Sequence, residues 1–113
     1  MKIGELATRT GVSVRALRYY EDRGLLRPRR TASGHRVFQE DAVDRVLFIQ
    51  QLFSAGLGSR TVVSILPCVD SGRLTEGQRE LLRGEARRLK TQIAALQRAR
   101  ELLLGLISNG PAD

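Results

Sequence analysis

Four leucines, Leu82, Leu89, Leu96 and Leu103, recur every seven residues in the last third of the chain. Four positions after each stand Ala86, Ile93, Arg100 and Ile107, which completes a heptad seam with one charged interruption. Thr75 and Gln78 have the spacing of a capping box just ahead of it, and the periodic pattern runs from Glu76 to about residue 107. A helix of that length reaches about 48 Å, farther than a domain of roughly 70 preceding residues extends, so it calls for a partner helix. Gly77 and Gly84 cost about 1 kcal/mol each relative to Ala, near the start where fraying does least harm. Residues 108–113 are predicted to be a disordered tail.

Charge is concentrated at the other end. Residues 1–38 hold Lys2 and eight arginines against Glu5, Glu21 and Asp22, a net +6, and the remaining 75 residues add only +1. A localised basic surface is the electrostatic footprint of nucleic-acid binding. Seventeen of the 19 basic residues are Arg, whose planar fork suits phosphates and guanine edges, although genome base composition also favours Arg over Lys. That bland origin does not account for the crowding.

Within the basic third, Ile3, Leu6 and Ala7 predict a short amphipathic helix over 3–10, broken at Gly11. Ser13 suits the N-cap of a second helix from Val14 to about Arg23, and Gly24 sits where a left-handed C-cap is wanted. Two short helices joined by a Gly-containing turn make a helix-turn-helix. On the second helix Val14, Leu17 and Glu21 share one face, while Arg15, Arg18, Tyr19 and Asp22 form an outward stripe. That stripe is the natural recognition surface; solvation alone also charges many exposed helix faces. Over 27–38, Pro28 and a Ser33-Gly34 turn separate short extended stretches, a hairpin or wing carrying Arg27, Arg29, Arg30, His35 and Arg36. So narrow a ribbon cannot stabilise itself and must lean on the helices through Leu26, Val37 and Phe38.

Residues 39–55 read as a third helix, with Glu40 and Asp41 at its positive end and Val43, Val46, Leu47, Ile49, Leu52 and Phe53 as a wide apolar face stopped by Gly56. A short fourth helix begins around Gly58 and Ser59, carries Val62, Val63, Ile65 and Leu66, and is expected to end before Pro67. Residues 67–74, with Cys68 and Asp70, are then a connector. The expected fold is mainly α, with a winged helix-turn-helix over 1–70 and a dimerisation helix over 71–113.

Several classes are disfavoured. Unbroken apolar runs such as 46–49 fall far short of the roughly 20 residues a bilayer requires, and the first residues do not lead into a signal segment. One Cys and one His cannot by themselves close a zinc site or build a disulfide framework, so no metal, cofactor or membrane partner is expected and a cytosolic setting fits best. Catalysis lacks a constellation: His35 sits among arginines, Cys68 has no evident base, and no carboxylate pair or phosphate loop stands out.

The residues Ile3, Gly4, Glu5, Leu6 and Ala7, the run from Thr10 through Arg15, Arg18, Tyr19 and Tyr20 to Glu21, then Gly24, Leu25 and Leu26, and finally Gly34, His35, Arg36, Val37 and Phe38, closely resemble the MerR family of bacterial transcription regulators. The long C-terminal helix is similar to the dimerisation helix of that family. The resemblance implies a short member without a C-terminal effector domain. It implies a homodimer held by an antiparallel coiled coil that binds an inverted repeat in a promoter and distorts the DNA so that RNA polymerase can use it, in a cytoplasmic, nucleoid-associated setting. Carried over by position, Arg15 resembles the base-reading residue, Arg18 and Tyr20 phosphate clamps, and His35 and Arg36 wing contacts to the flanking backbone, with Tyr19 and Arg30 beside them. In an antiparallel coil centred near Ile93, Arg100 of one chain faces Ala86 of the other.

Alternatives stay open at this level. Cys68 lies in the region where metal sensors of the family place a ligand, and a thiol of lowered pKa there would sense oxidants, whereas a lone Cys is more often a small buried hydrophobe. A pocket near the coil would make the protein ligand-responsive. An architectural DNA-bending protein, an RNA binder short of exposed aromatics, and a coiled-coil adaptor for an acidic protein are rival readings.

Overall fold

Left-handed glycines punctuate the chain and define its helices. In the computed structural model, which describes residues 1–110, α1 (Ile3–Thr10) stops at Gly11, whose φ of 73° lets its N–H reach back to the carbonyl of Ala7. The next helix, α2 (Val14–Asp22), starts on Ser13, whose hydroxyl accepts from the Ala16 N–H at 3.1 Å. It ends in a Schellman turn: Gly24 N–H donates to Glu21 and Leu25 N–H to Tyr20, at 3.0 and 2.9 Å. Leu25 and Leu26, which follow, are buried.

The wing is a two-stranded antiparallel ribbon, β1 (Arg29–Arg30) and β2 (Arg36–Val37), with Arg29 opposite Val37 and Arg30 opposite Arg36. It leans on the core through Leu26 and Phe38, both buried, with Val37 half-buried. Phe38 also exchanges both backbone hydrogen bonds with Met1, a pairing that no local pattern announces.

Helix α3 (Asp41–Ser54) begins two residues later than expected, because Ala42 and Val43 donate to Gln39 and Glu40 in an i to i+3 turn before α-helical bonding takes over. Its Ala42, Val46 and Ile49 are buried. Helix α4 (Ser59–Ser71) corrects the expected connector: the helix runs through Pro67 for another turn and closes on Gly72 at φ 69°. The missing N–H of Pro67 is outweighed by what that turn places. Cys68 is buried against the core, and Asp70 takes a two-pronged contact from Arg45 of α3, at 2.6 and 3.2 Å. Arg45 Nε also donates to the Leu25 carbonyl at 3.0 Å, so one guanidinium ties α3 to α4 and to the residue that closes α2.

The chain divides into two compact units, Met1–Arg73 and the residues from Leu74 onward. All fifteen buried hydrophobic residues among those described, from Leu6 to Cys68, lie in the first. The second is α5 (Glu76–Asn109), 34 residues and about 51 Å long. Both bonds of the Thr75–Gln78 capping box form, and the i, i+3 pairs Glu76–Arg79, Glu80–Arg83 and Glu85–Arg88 line its first half. The helix continues through Ser108 and Asn109, which corrects the first part of the expected tail; residues 111–113 lie outside the described residues. No described helix is long and apolar enough to cross a membrane.

Candidate nucleic-acid interface

The inner face of α2 is core. Leu17 is fully buried and Tyr20 is 4% exposed, its ring stacked on Phe53 at 5.9 Å between centroids and its hydroxyl engaged by the Gln50 amide. Burial pushes the Tyr20 phenol above its ordinary pKa, while the Gln50 contact pulls the other way. The structure therefore places Tyr20 as an anchor of the helix, beneath the outward stripe.

The outer face carries Arg15, Arg18 and Tyr19, all exposed. Neither Arg15 nor Arg18 has an acidic partner among the described residues, so both guanidinium forks are directed to solvent with their donors free. The guanidinium of Arg23 lies 5.3 Å from the centroid of the Tyr19 ring, which stiffens the C-terminal end of that face.

The wing presents a second basic surface. Its turn is held by Gly34, at φ 84°, donating to the Thr31 carbonyl, and by His35 N–H donating to the Thr31 hydroxyl. Arg30 and Arg36 face each other across the ladder, a like-charge pair that would repel if both guanidinium groups stood free. Each turns to an acceptor instead: Arg30 donates to the Gly34 carbonyl at 3.0 Å, and Arg36 pairs with Glu21 of α2. His35 and Arg29 remain exposed, and a recess of about 250 Å³ is lined by Lys2, Ile3, His35, Arg36 and Phe38. The Glu21–Arg36 ion pair is the direct side-chain link between recognition helix and wing, across fifteen residues of sequence. Sequence reasoning placed Glu21 on the inner face and missed its partner; it likewise missed Lys2 beside the wing and the role of Arg45.

On α5 the seam becomes more open to solvent toward its C-terminal half. Leu82 and Leu89 are half-buried and Ala86 and Arg100 exposed, while Ile93, Leu96, Leu103 and Ile107 are between 56% and 78% exposed. Cys68 is 7% exposed and its thiol donates to the Ser64 carbonyl at 3.7 Å, the environment of a packing residue. No group of three or more His, Cys, Asp or Glu among the described residues is placed to hold a metal.

Comparison with known proteins gives this arrangement its context. Residues 1–67 match the model of the MerR HTH family regulatory proteins. The nodulation protein NolA of Bradyrhizobium sp. is 34% identical over 110 residues, covering 96% of this chain and 44% of that protein. The chain thus spans about half the length of the first curated relatives it matches. Among solved structures, a protein of Listeria monocytogenes assigned to the MerR family of transcriptional regulators superposes with a TM-score of 0.80 at 30% identity, over 97% of this chain and 87% of that one. HiNmlR, a MerR family regulator lacking the sensor domain and bound to promoter DNA, gives 0.74 at 25% identity, over 96% and 83%.

Proposed function

The chain belongs to the MerR HTH family of regulatory proteins, and from that premise we propose that it is a transcriptional regulator that binds a palindromic promoter site as a homodimer and distorts the DNA to control RNA polymerase. The observation that carries the reading is the outer face of α2, where Arg15 and Arg18 stand exposed and unpaired on a helix whose inner face is locked into the core. In this reading Arg15 reads base edges and Arg18 and the wing hold phosphates, with Tyr19, Arg30, His35 and Arg36 framing the surface. Tyr20 supports the helix from beneath. The apolar seam of α5 supplies the second copy: Leu82, Ala86, Leu89, Ile93, Leu96, Arg100, Leu103 and Ile107 pair with the same residues of the partner in an antiparallel coil.

Two recognition helices at a fixed separation make the preferred site an inverted repeat. Untwisting or bending such a site stores deformation energy, and phosphate contacts on both half-sites are what offset it. The regulator acts by binding, not by catalysis, and no bound cofactor enters the mechanism.

The test is selection from a random duplex library by the full chain, with the mass of the complex measured by light scattering. The expected result is an inverted repeat bound by two protomers, and an intercalator-free assay of DNA twist should register the distortion. Selection of no duplex, together with retention of an acidic protein in place of DNA, would turn the reading toward a coiled-coil adaptor.

A further inference from the structure

Glu21 is a largely buried carboxylate beside a surface suited to polyanions. It contributes a carboxylate to the recognition helix, three residues beyond Arg18, with its side chain only 16% exposed. One oxygen, Oε2, is held by Arg36 of β2; the other, Oε1, is buried without a hydrogen-bond partner. A carboxylate in that position is costly unless its counter-charge stays in place. Arg36, at 47% exposure, is free enough to leave, and the charge of Glu21 keeps it.

The wing has little of its own to fix its direction. Its ladder is two residue pairs long, too short to be stable alone. Beyond the burial of Leu26 and Phe38, the wing is tied to the helical core by two hydrogen-bonded contacts among the described residues: Phe38, just after β2, bonded in both directions with Met1, and Arg36 of β2, held by Glu21. The first fastens the wing to the segment before α1, and among the described residues the second is the side-chain hydrogen bond that fastens it to the helix that carries Arg15 and Arg18.

We propose that Glu21 is a positioning residue of the DNA-binding surface, which through Arg36 sets the wing at a fixed distance from the recognition helix. The inference rests on the DNA-binding reading and adds a role that exposure alone hides. Arg36 acts first on Glu21, and the phosphate contacts fall to Arg29 and His35 of the wing and to Lys2 beside it. Specificity benefits because helix and wing then meet a duplex as one rigid body, and a site whose phosphates are spaced otherwise is rejected.

The test uses the full chain in a Cys68→Ser background, with Ala32→Cys at the exposed wing turn carrying a fluorophore. Glu21→Gln and Arg36→Gln should each speed local motion of the wing in the absence of DNA. Glu21→Gln should also weaken binding to the duplex selected by the wild type by about tenfold. Binding to a scrambled duplex should hold or rise, because the variant gains one net positive charge. In the double variant two amides can pair, so most of the specific affinity should return.

Unchanged wing motion together with an unchanged ratio of specific to scrambled binding in Glu21→Gln would overturn the proposal. So would losses that multiply in the double variant, since Arg36 would then act on DNA independently of Glu21. If Glu21→Gln does not fold by circular dichroism, Glu21→Asp replaces it, keeping the charge but withdrawing it by one methylene, with the same outcomes expected for motion and specificity. A wild type that selects no duplex would remove the DNA-binding reading, while the wing-motion arm would still decide whether the latch exists.

Discussion

Tyr19 and Tyr20 are consecutive, yet a turn of about 100° per residue sends one to solvent beside Arg23 and the other into the core against Phe53. The buried phenol makes stability depend on pH. Its pKa is raised in the folded chain, first by burial, so the unfolded chain ionises before the folded one. The contribution is fully present below the ordinary tyrosine value near 10 and is lost as pH rises through the folded pKa. Thermal melts from pH 8 to 11 should fall more steeply for the wild type than for Tyr20→Phe, and parallel curves would mean that the phenol is solvated. Outward residues separate by a different measurement. Arg15→Ala should relax the sequence preference at one position of each half-site, at about 1–3 kcal/mol, whereas Arg18→Ala should weaken all duplexes alike and reduce the salt slope by about one per protomer. Identical base preferences in the two variants would remove the base-reading role of Arg15.

Among the elements, α4 carries a testable internal conflict. Pro67 is exposed in the helix, where it removes one backbone hydrogen bond, and the turn beyond it persists through buried Cys68 and the Arg45–Asp70 contact. Pro67→Ala should therefore stabilise the protein, by about 1–2 kcal/mol after allowing for the greater freedom of the unfolded chain. Denaturant melts would read this as a higher midpoint at constant slope, and a lower midpoint would mean that the ring itself packs. The same helix marks the limit of what local sequence conveys. Boundaries set by neighbours in the chain were legible: α1 over 3–10, the Ser13 cap, the Gly24 closure and the Thr75–Gln78 box depend on residues within five positions of one another. What escaped was set by distant partners. Met1 meets Phe38, Glu21 meets Arg36, and Arg45 reaches both Leu25 and Asp70; no periodicity encodes separations of 15 to 37 residues. The candidate surface divides likewise, its outward arginines legible from helical spacing and its internal ties not.

For the whole molecule, the separation of burial from length argues for a division of labour. The first unit holds every buried hydrophobic residue, and α5 holds none among the described residues while exposing Ile93, Leu96, Leu103 and Ile107 on its seam. A chain truncated after Arg73 should accordingly keep a cooperative melt, because its core is self-contained, whereas the stability of α5 should depend on protein concentration. Leu96, 63% exposed at the middle of the seam, discriminates between folding and assembly. Lysine there leaves the first unit untouched but places a desolvated charge at the centre of a two-helix interface. Leu96→Lys should sediment as a monomer and retain the affinity of one protomer for a single half-site. On the full inverted repeat it should bind about a hundredfold or more weakly than the wild type, since the second half-site is no longer held at high effective concentration. A variant that stays dimeric would place the interface elsewhere on α5. One that becomes monomeric yet binds the repeat as tightly as the wild type would show that the coil does not set the spacing of the recognition helices, and the inverted-repeat reading would fall with it.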